Sequence, residues 1–583
     1  MDEKEENRMM KIININDYTD TTENCTPAVV RAICEVNDDC ENIIVFDRGA
    51  YHFYPEGTTQ AEFYPSNNDG GMKKIVFPIF GKKHVTIDGG GSEFIFHGRI
   101  SPFILWNAED ITIKNFTIDF SRSCYGQGRI TAADDFSFDL SIDKTEFPYH
   151  INNGILVFEG EFDEFSTVKM PFLVQEFDPV TTGPGYNTSP MFIATGKTEA
   201  DLSILPVKTM QLAMTEKEDG TLHFENKMPE VIQYRFHVGY DLNIKYENRE
   251  NAGFFVLDSK ATVIENITVY RCPGMGVIGQ TSENITVKGV KMINRIGRGG
   301  LVSVNDDATH FVNCTGKISL IDNVFDNMMD DATNIHGIYT KIKEMPAPNQ
   351  IVVSLMHFQQ YGVNIYKPGD TIELLKNGSL KTLARPIVVC AQMSEDKKSI
   401  LLTFASNVAG CVEIGDIVEN AERMPEAYLV GNHTGNNRPR GFLLTTPKKV
   451  LIENNTFYNS GFGIHITSDG TYWFESGRVK DITIKNNRFI NCAYAWGDYV
   501  IAVTPEFPSI PNVQIHRNIN IENNYIESFQ PGIVYAFSVD GLRVRNNTWV
   551  ETDAYPKRGT ETHTYKLVNC KNVELDGNRY ITH

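Results

Sequence analysis

The tetrapeptide Asp-Asp-Ala-Thr occurs twice, as Asp306-Asp307-Ala308-Thr309 and as Asp330-Asp331-Ala332-Thr333, with Asp307 and Asp331 24 residues apart. If 24 residues make one turn of a repeating fold, the two carboxylates stack on adjacent strands, about 4.8 Å apart. Like charges at that spacing raise each other's proton affinity, and stability alone gives a fold no reason to place them so. The arrangement suits hydrolysis. Asp307 and Asp331 could jointly hold and deprotonate a water. Asp330 would supply the proton for a leaving oxygen, its pKa raised by its neighbours. Consecutive residues of a regular strand face opposite sides, so Asp330 and Asp331 share one face only if the chain bends at Met329–Ala332. Two other readings compete: Asp residues capping coil corners, and a calcium site.

Other residues fall near this pair. Asn305, Asp306 and Asn334 flank the acids, and His336 follows two residues after Asn334. Asp307 lies 16 residues before Asn323, and the same offset from Asn455 falls on Pro439, between Arg438 and Arg440. One of these arginines should continue the Asp307–Asp331 column. His465 should lie on the same face one coil further. In the aromatic run Tyr472-Trp473-Phe474, Trp473 is the candidate for stacking on an apolar ring face. Arg298 is a weaker candidate. A surface arginine, a structural histidine and aromatics packed beneath their own loop are the ordinary alternatives.

The elements that position these residues are legible in a repeat of alternating apolar positions followed by Asn-Asn or Gly-Asn. It recurs as VLIENNTF (450–457), ITIKNNRF (482–489), INIENNYI (519–526), LRVRNNTW (542–549) and VELDGNRY (573–580), with looser copies at 111–118, 285–292 and 318–325. Alternation is strand periodicity with one buried face. The Asn or Gly pair bends the chain because both tolerate left-handed backbone. Asn524 and Asn547 are 23 residues apart. Short strands and tight turns at this period predict an all-β fold, a right-handed parallel β-helix whose coils stack. The asparagines of successive coils could form a hydrogen-bonded ladder. Residues 121–239 and 338–428 lack the repeat and read as two inserted antiparallel β modules, barrel-like in form. The helix is then expected in three parts, 11–120, 240–337 and 429–583.

The formal net charge of −20 disfavours nucleic acid and anionic membranes as partners. The ten cysteines show no zinc-type spacing. Cys272, Cys314, Cys492 and Cys570 lie beside repeat motifs and fit buried free thiols. The start, MDEKEENRMMK, has no apolar leader, and no apolar run is long enough to span a membrane. The compartment stays open, secreted or periplasmic if a leader has been trimmed. The insertions could form a homodimer interface or wall a pocket.

The paired acids resemble those of the polygalacturonase-like β-helix hydrolases, which implies Asp330 as acid and Asp307 with Asp331 as base. NDDATHF and DNMMDDATNIHG, with the interrupted helix, are more closely similar to the family 110 glycoside hydrolases, over nearly the whole chain from the Ile13 region onward. That resemblance implies an exo-acting, inverting α-1,3-galactosidase acting on blood-group-B-type or related glycans, with no metal and no cofactor. A pectin-type hydrolase or lyase and a non-catalytic glycan-binding β-helix are the alternatives. An inverting pair of carboxyl groups should stand about 6.5–9.5 Å apart, which places Asp330 opposite the other two.

Overall fold

The structure is a computed structural model that describes residues 9–19, 22–162, 172–195, 209–246, 249–295, 297, 300–507, 513–559 and 561–582. Arg298 lies outside these residues. Parallel strands stack from Met10–Asn14 at one end to Lys571–Asp576 and Arg579–Ile581 at the other. The molecule is a right-handed parallel β-helix. Its repeat appears as aligned columns. Ile285, Ile318, Ala427, Val450, Ile482, Ile519, Leu542 and Val573 pair in register from coil to coil. They line one continuous apolar core, with Val573 only partly covered at its end. Burying each large aliphatic side chain contributes about 1.5–3 kcal/mol, and each does so only because the next coil covers it.

The turn after this column uses the Asn pairs in two ways. Asn454, Asn486, Asn523 and Asn546 have φ of 53° to 56°, a left-handed turn that Asn accepts at low cost. The second asparagine of each pair points inward. Asn323, Asn432, Asn455, Asn487, Asn524, Asn547 and Asn578 form a ladder, each Nδ2 donating to the next Oδ1 at 2.9–3.0 Å. Each Oδ1 from Asn432 onward also accepts the backbone N–H of the preceding asparagine. The buried amides therefore satisfy one another.

Neither insertion interrupts the stack. Ser101–Trp106 pairs directly with Phe254–Leu257, across the first insertion. Thr333–Ile335 pairs with Phe442–Leu444, across the second. The first insertion is a closed barrel of seven strands, running from Gly126–Ala133 to Asp241–Lys245. Its closing strand lies past the expected limit at 239. The second is antiparallel and grows out of the helix itself. The strand Thr333–Ala347 begins as a coil strand, then pairs antiparallel with Gln350–Leu355 and Ile417–Glu419. None of the ten cysteines is in a disulfide. Cys272, Cys314 and Cys492 are buried and Cys570 is half-buried. No helix among the described residues is long and apolar enough to cross a membrane.

Candidate active site

The site is built on the coils between the two insertions. Thr309 pairs with Thr333 and Thr333 with Phe442, which puts Asp307, Asp331 and Arg440 at equivalent positions on three successive coils. Both Asp-Asp pairs sit in bends just before their strands, so Asp330 and Asp331 can turn to one side. One oxygen from each of Asp307, Asp330 and Asp331 lies within 4.8 Å of the others. Asp330 therefore does not stand across the cavity at the spacing expected of an inverting pair; the bend brings it to the same side as the other two. A cation could bridge such oxygens, but guanidinium groups already supply the positive charge. Arg440 grips Asp331 with Nε and Nη2, both at 2.8 Å. Arg249 donates from Nη2 to Asp330 Oδ2 at 2.6 Å, and Arg438 Nη2 stands 3.4 Å from Asp330 Oδ1.

These charges sort the carboxyl groups. Burial works against a charge on Asp330, but Arg438, Arg249 and Arg440 outweigh it and hold its pKa below the ordinary carboxylate value. This reverses the expected direction: the cations nearest Asp330 act on it more strongly than the acids do. Asp307 moves well upward, through burial and then through Asp330. Asp331 also moves well upward, through burial and the neighbouring Asp330 and Asp307, against the pull of Arg440. At rest, then, Asp330 is ionised and Asp307 and Asp331 are where a proton is held.

A cavity of about 330 Å³ opens onto the three acids, and Arg249, Arg438, Arg440, His310, Asn334, Trp473 and Glu475 line it with them. Leu173 and Phe192 of the first barrel form part of the wall. Asp469 accepts the backbone N–H groups of Thr471 and Trp473, both at 2.6 Å, and so shapes the aromatic loop. Arg249 lies 5.4 Å from the Trp473 ring centre. Burial and Asp469 raise the pKa of Glu506, also in the wall.

Four sequence candidates lie outside this lining. Asp306 points into the protein and pairs with Lys245 and with Arg249 Nε, the latter at 2.8 Å. It anchors the arginine that reaches Asp330. Asn305 is buried, its Nδ2 3.4 Å from the Pro273 carbonyl. His336 is fully buried behind His310. His465 is buried two coils beyond Asn334 and bonds to Thr504 Oγ1 at 2.7 Å. Asn305 and Asp306 lie in the bend before the strand. His336 shares the strand face of Asn334, and His465 shares a column with Asn334 and Leu443, so it is their place along the strand and the stack that leaves these two histidines out of the lining.

Sequence reasoning missed Arg249, Lys245, His310, Asn67 and Glu475. Glu475 accepts from Asn67 Nδ2 at 2.8 Å and from Asn334 Nδ2 at 3.2 Å, while His336, His310 and Arg440 hold its pKa down despite burial. His310 directly follows the first Asp-Asp-Ala-Thr, the one sequence signal that points to it. Arg249 and Lys245 carry no repeat signal.

Family descriptions match in three places: GLAA-B beta-barrel domain I over residues 126–234, GLAA-B beta-barrel domain II over 350–418, and a right-handed beta helix region over 406–578. The chain is similar to alpha-1,3-galactosidase A of Shewanella woodyi, 30% identical over 98% of this chain and 91% of that protein. It is equally similar, at 30%, to alpha-1,3-galactosidase B of Bacteroides thetaiotaomicron over the same shares of both chains. Among solved structures, the Yersinia enterocolitica family 28 exopolygalacturonase is 10% identical over 97% of this chain and 79% of its own, with a TM-score of 0.37. These full-length relatives, matched in both barrels and in the helix, place the chain in the α-1,3-galactosidase family, glycoside hydrolase family 110.

Proposed function

We propose that the protein hydrolyses terminal α-1,3-linked galactose on blood-group-B-type or related glycans, with inversion, using Asp307, Asp330 and Asp331. The observation that carries this reading is the trio of carboxyl groups on adjacent coils, at the foot of a cavity and balanced by arginines. The relatives' names supply the linkage. The barrel wall of Leu173 and Phe192 favours a terminal sugar over an internal one.

Asp330 has the most exposed side chain of the trio, 13% against 4% for Asp307 and 2% for Asp331, and it meets the leaving oxygen. The proton it delivers comes from the Asp307–Asp331 pair, whose oxygens lie within 4.8 Å of it. That one transfer makes Asp330 an acid and leaves the pair ionised to take a proton from water. The C–O bond then breaks as the proton reaches the glycosidic oxygen and water adds to the anomeric carbon.

The test is proton NMR of a blood-group-B oligosaccharide during cleavage. β-Galactose appearing first supports inversion. The short carboxyl spacing favours one second reading, a double displacement through a carboxylate nucleophile; α-galactose appearing first would establish it. No galactose from this or from a linear α-1,3-linked substrate would overturn the galactosidase reading.

A further inference from the structure

Behind the trio runs a chain of hydrogen bonds whose direction can be read from one end. Gly337 O lies 2.7 Å from His336 Nδ1. A carbonyl only accepts, so His336 Nδ1 carries the hydrogen. His336 is fully buried, and burial pushes its pKa down to about 4, so the ring is neutral and has one N–H. Its Nε2 must therefore accept, and the group 2.8 Å away is His310 Nε2. His310 is likewise held neutral by burial, at about 4. Having spent its one N–H on His336, it presents a bare Nδ1. That lone pair lies 2.6 Å from Asp307 Oδ2, so Asp307 must supply the hydrogen. The charged groups nearest the chain do not change this polarity. Glu475 is 3.7 Å from His336 Nε2, beyond hydrogen-bond reach, and Arg249 binds Asp306 and Asp330 instead.

We propose that His310 and His336, locked in direction by the Gly337 carbonyl, make Asp307 the strongest proton acceptor of the three acids. Asp307 is then the neutral carboxyl of the resting site. Once its proton has gone to Asp330, its oxygen faces the bare Nδ1 of His310, a repulsive contact that only a new proton relieves. It takes that proton from the attacking water: the water O–H bond breaks, Asp307 O–H forms, and the hydroxide oxygen joins the anomeric carbon. His310 and His336 act through Asp307, as positioning residues. The kinetic half of this proposal rests on the galactosidase reading; the resting protonation does not.

The resting state is tested first in the free protein by nitrogen-15 NMR of the histidine rings, assigned with the His310→Asn and His336→Gln variants. His310 as the Nε2–H form and His336 as the Nδ1–H form are expected. A neutral His310 carrying Nδ1–H would overturn the proposal whether or not the protein cleaves any glycan. Kinetics follow. His336→Phe removes the acceptor, letting His310 turn its hydrogen toward Asp307 and weaken the base. Its kcat should fall about tenfold or more, short of the ~10²–10⁴ of losing an acid or base outright. Gln at 336 can still accept from His310 Nε2, so His336→Gln should recover kcat to within about threefold of the parent, with KM unchanged. If His336→Gln is as damaged as His336→Phe while both stay folded, the histidine is structural packing and the proposal fails.

Discussion

The arginines hold Asp330 ionised while the Asp307–Asp331 pair, shifted upward by burial, keeps a proton, and kinetics can read that division. Asp330→Asn should lower kcat on a glycan by about 10²–10⁴-fold. It should cost far less on a nitrophenyl galactoside, whose leaving group needs no proton. A comparable loss on both substrates would remove Asp330 from the acid role. The pH profile carries a second prediction. Groups whose pKa is raised lose their proton only above the usual carboxylate range, so the activity that needs that proton persists into that range and fades as pH rises through the raised value. The alkaline limb of kcat/KM should therefore lie well above the ordinary carboxylate pKa, and a limb near 4 would contradict the assigned charges. Spacing alone sets Asp307 over Asp331 and Asp306 over Asp330, because a shared offset of one coil is a property of sequence. Which neighbours face the cavity is not. Asp306 and Asp307 are adjacent in sequence, yet one anchors Lys245 and Arg249 and the other lines the cavity. Only the local bend decides between them. Arg249 enters from the segment where the first barrel rejoins the helix, and no periodicity marks it.

At the level of the coil, the asparagine ladder ties stability to a handful of side chains. Asn455 Oδ1 accepts from the N–H and Nδ2 of Asn432, and its own Nδ2 donates to Asn487 and to the Leu429 carbonyl. Asn455→Ala strands several buried groups. At about 1–3 kcal/mol for a buried group left without a partner, it should lower unfolding free energy by about 2–4 kcal/mol. Asn454→Gly, one residue earlier, keeps the left-handed turn and should change stability by less than about 1 kcal/mol. Urea unfolding of the two variants side by side checks the contrast; equal effects would mean that the ladder is not what holds the turn. The repeat made the coils and the ladder legible in advance, since both follow from alternation and a residue type tolerant of left-handed backbone. The barrels were visible as gaps in the repeat filled by alternating segments such as FSFDLSI (136–142) and IVVSLMHF (351–358), while their closing strands carry no distinctive pattern.

On the scale of the molecule, the first barrel leans over a site that belongs to the helix. Leu173→Ala with Phe192→Ala should loosen substrate, raising KM by about tenfold while kcat stays within about twofold, the signature of lost uniform binding. Steady-state kinetics with a branched and a linear glycan would measure it. Because arginines already balance the acids, incubation with EDTA should leave activity unchanged, and a loss restored by calcium would reopen the cation reading. The second barrel is joined in a different way. Thr333–Ala347 is one unbroken strand that carries Asn334 at the cavity and His336 behind it, then turns into the barrel's own sheet. A hinge needs a few residues free to rotate, and this junction has none: His336 pairs with Val312, Gly337 and Ile338 with Ser476 and Glu475, and Tyr339, Thr340 and Lys341 with Glu419, Val418 and Ile417. The barrel is thus cantilevered from the catalytic floor. Amide hydrogens on both halves of that strand should exchange at one common rate, set by opening of barrel and site together, and a destabilising change in the barrel should register as faster exchange beneath the acids.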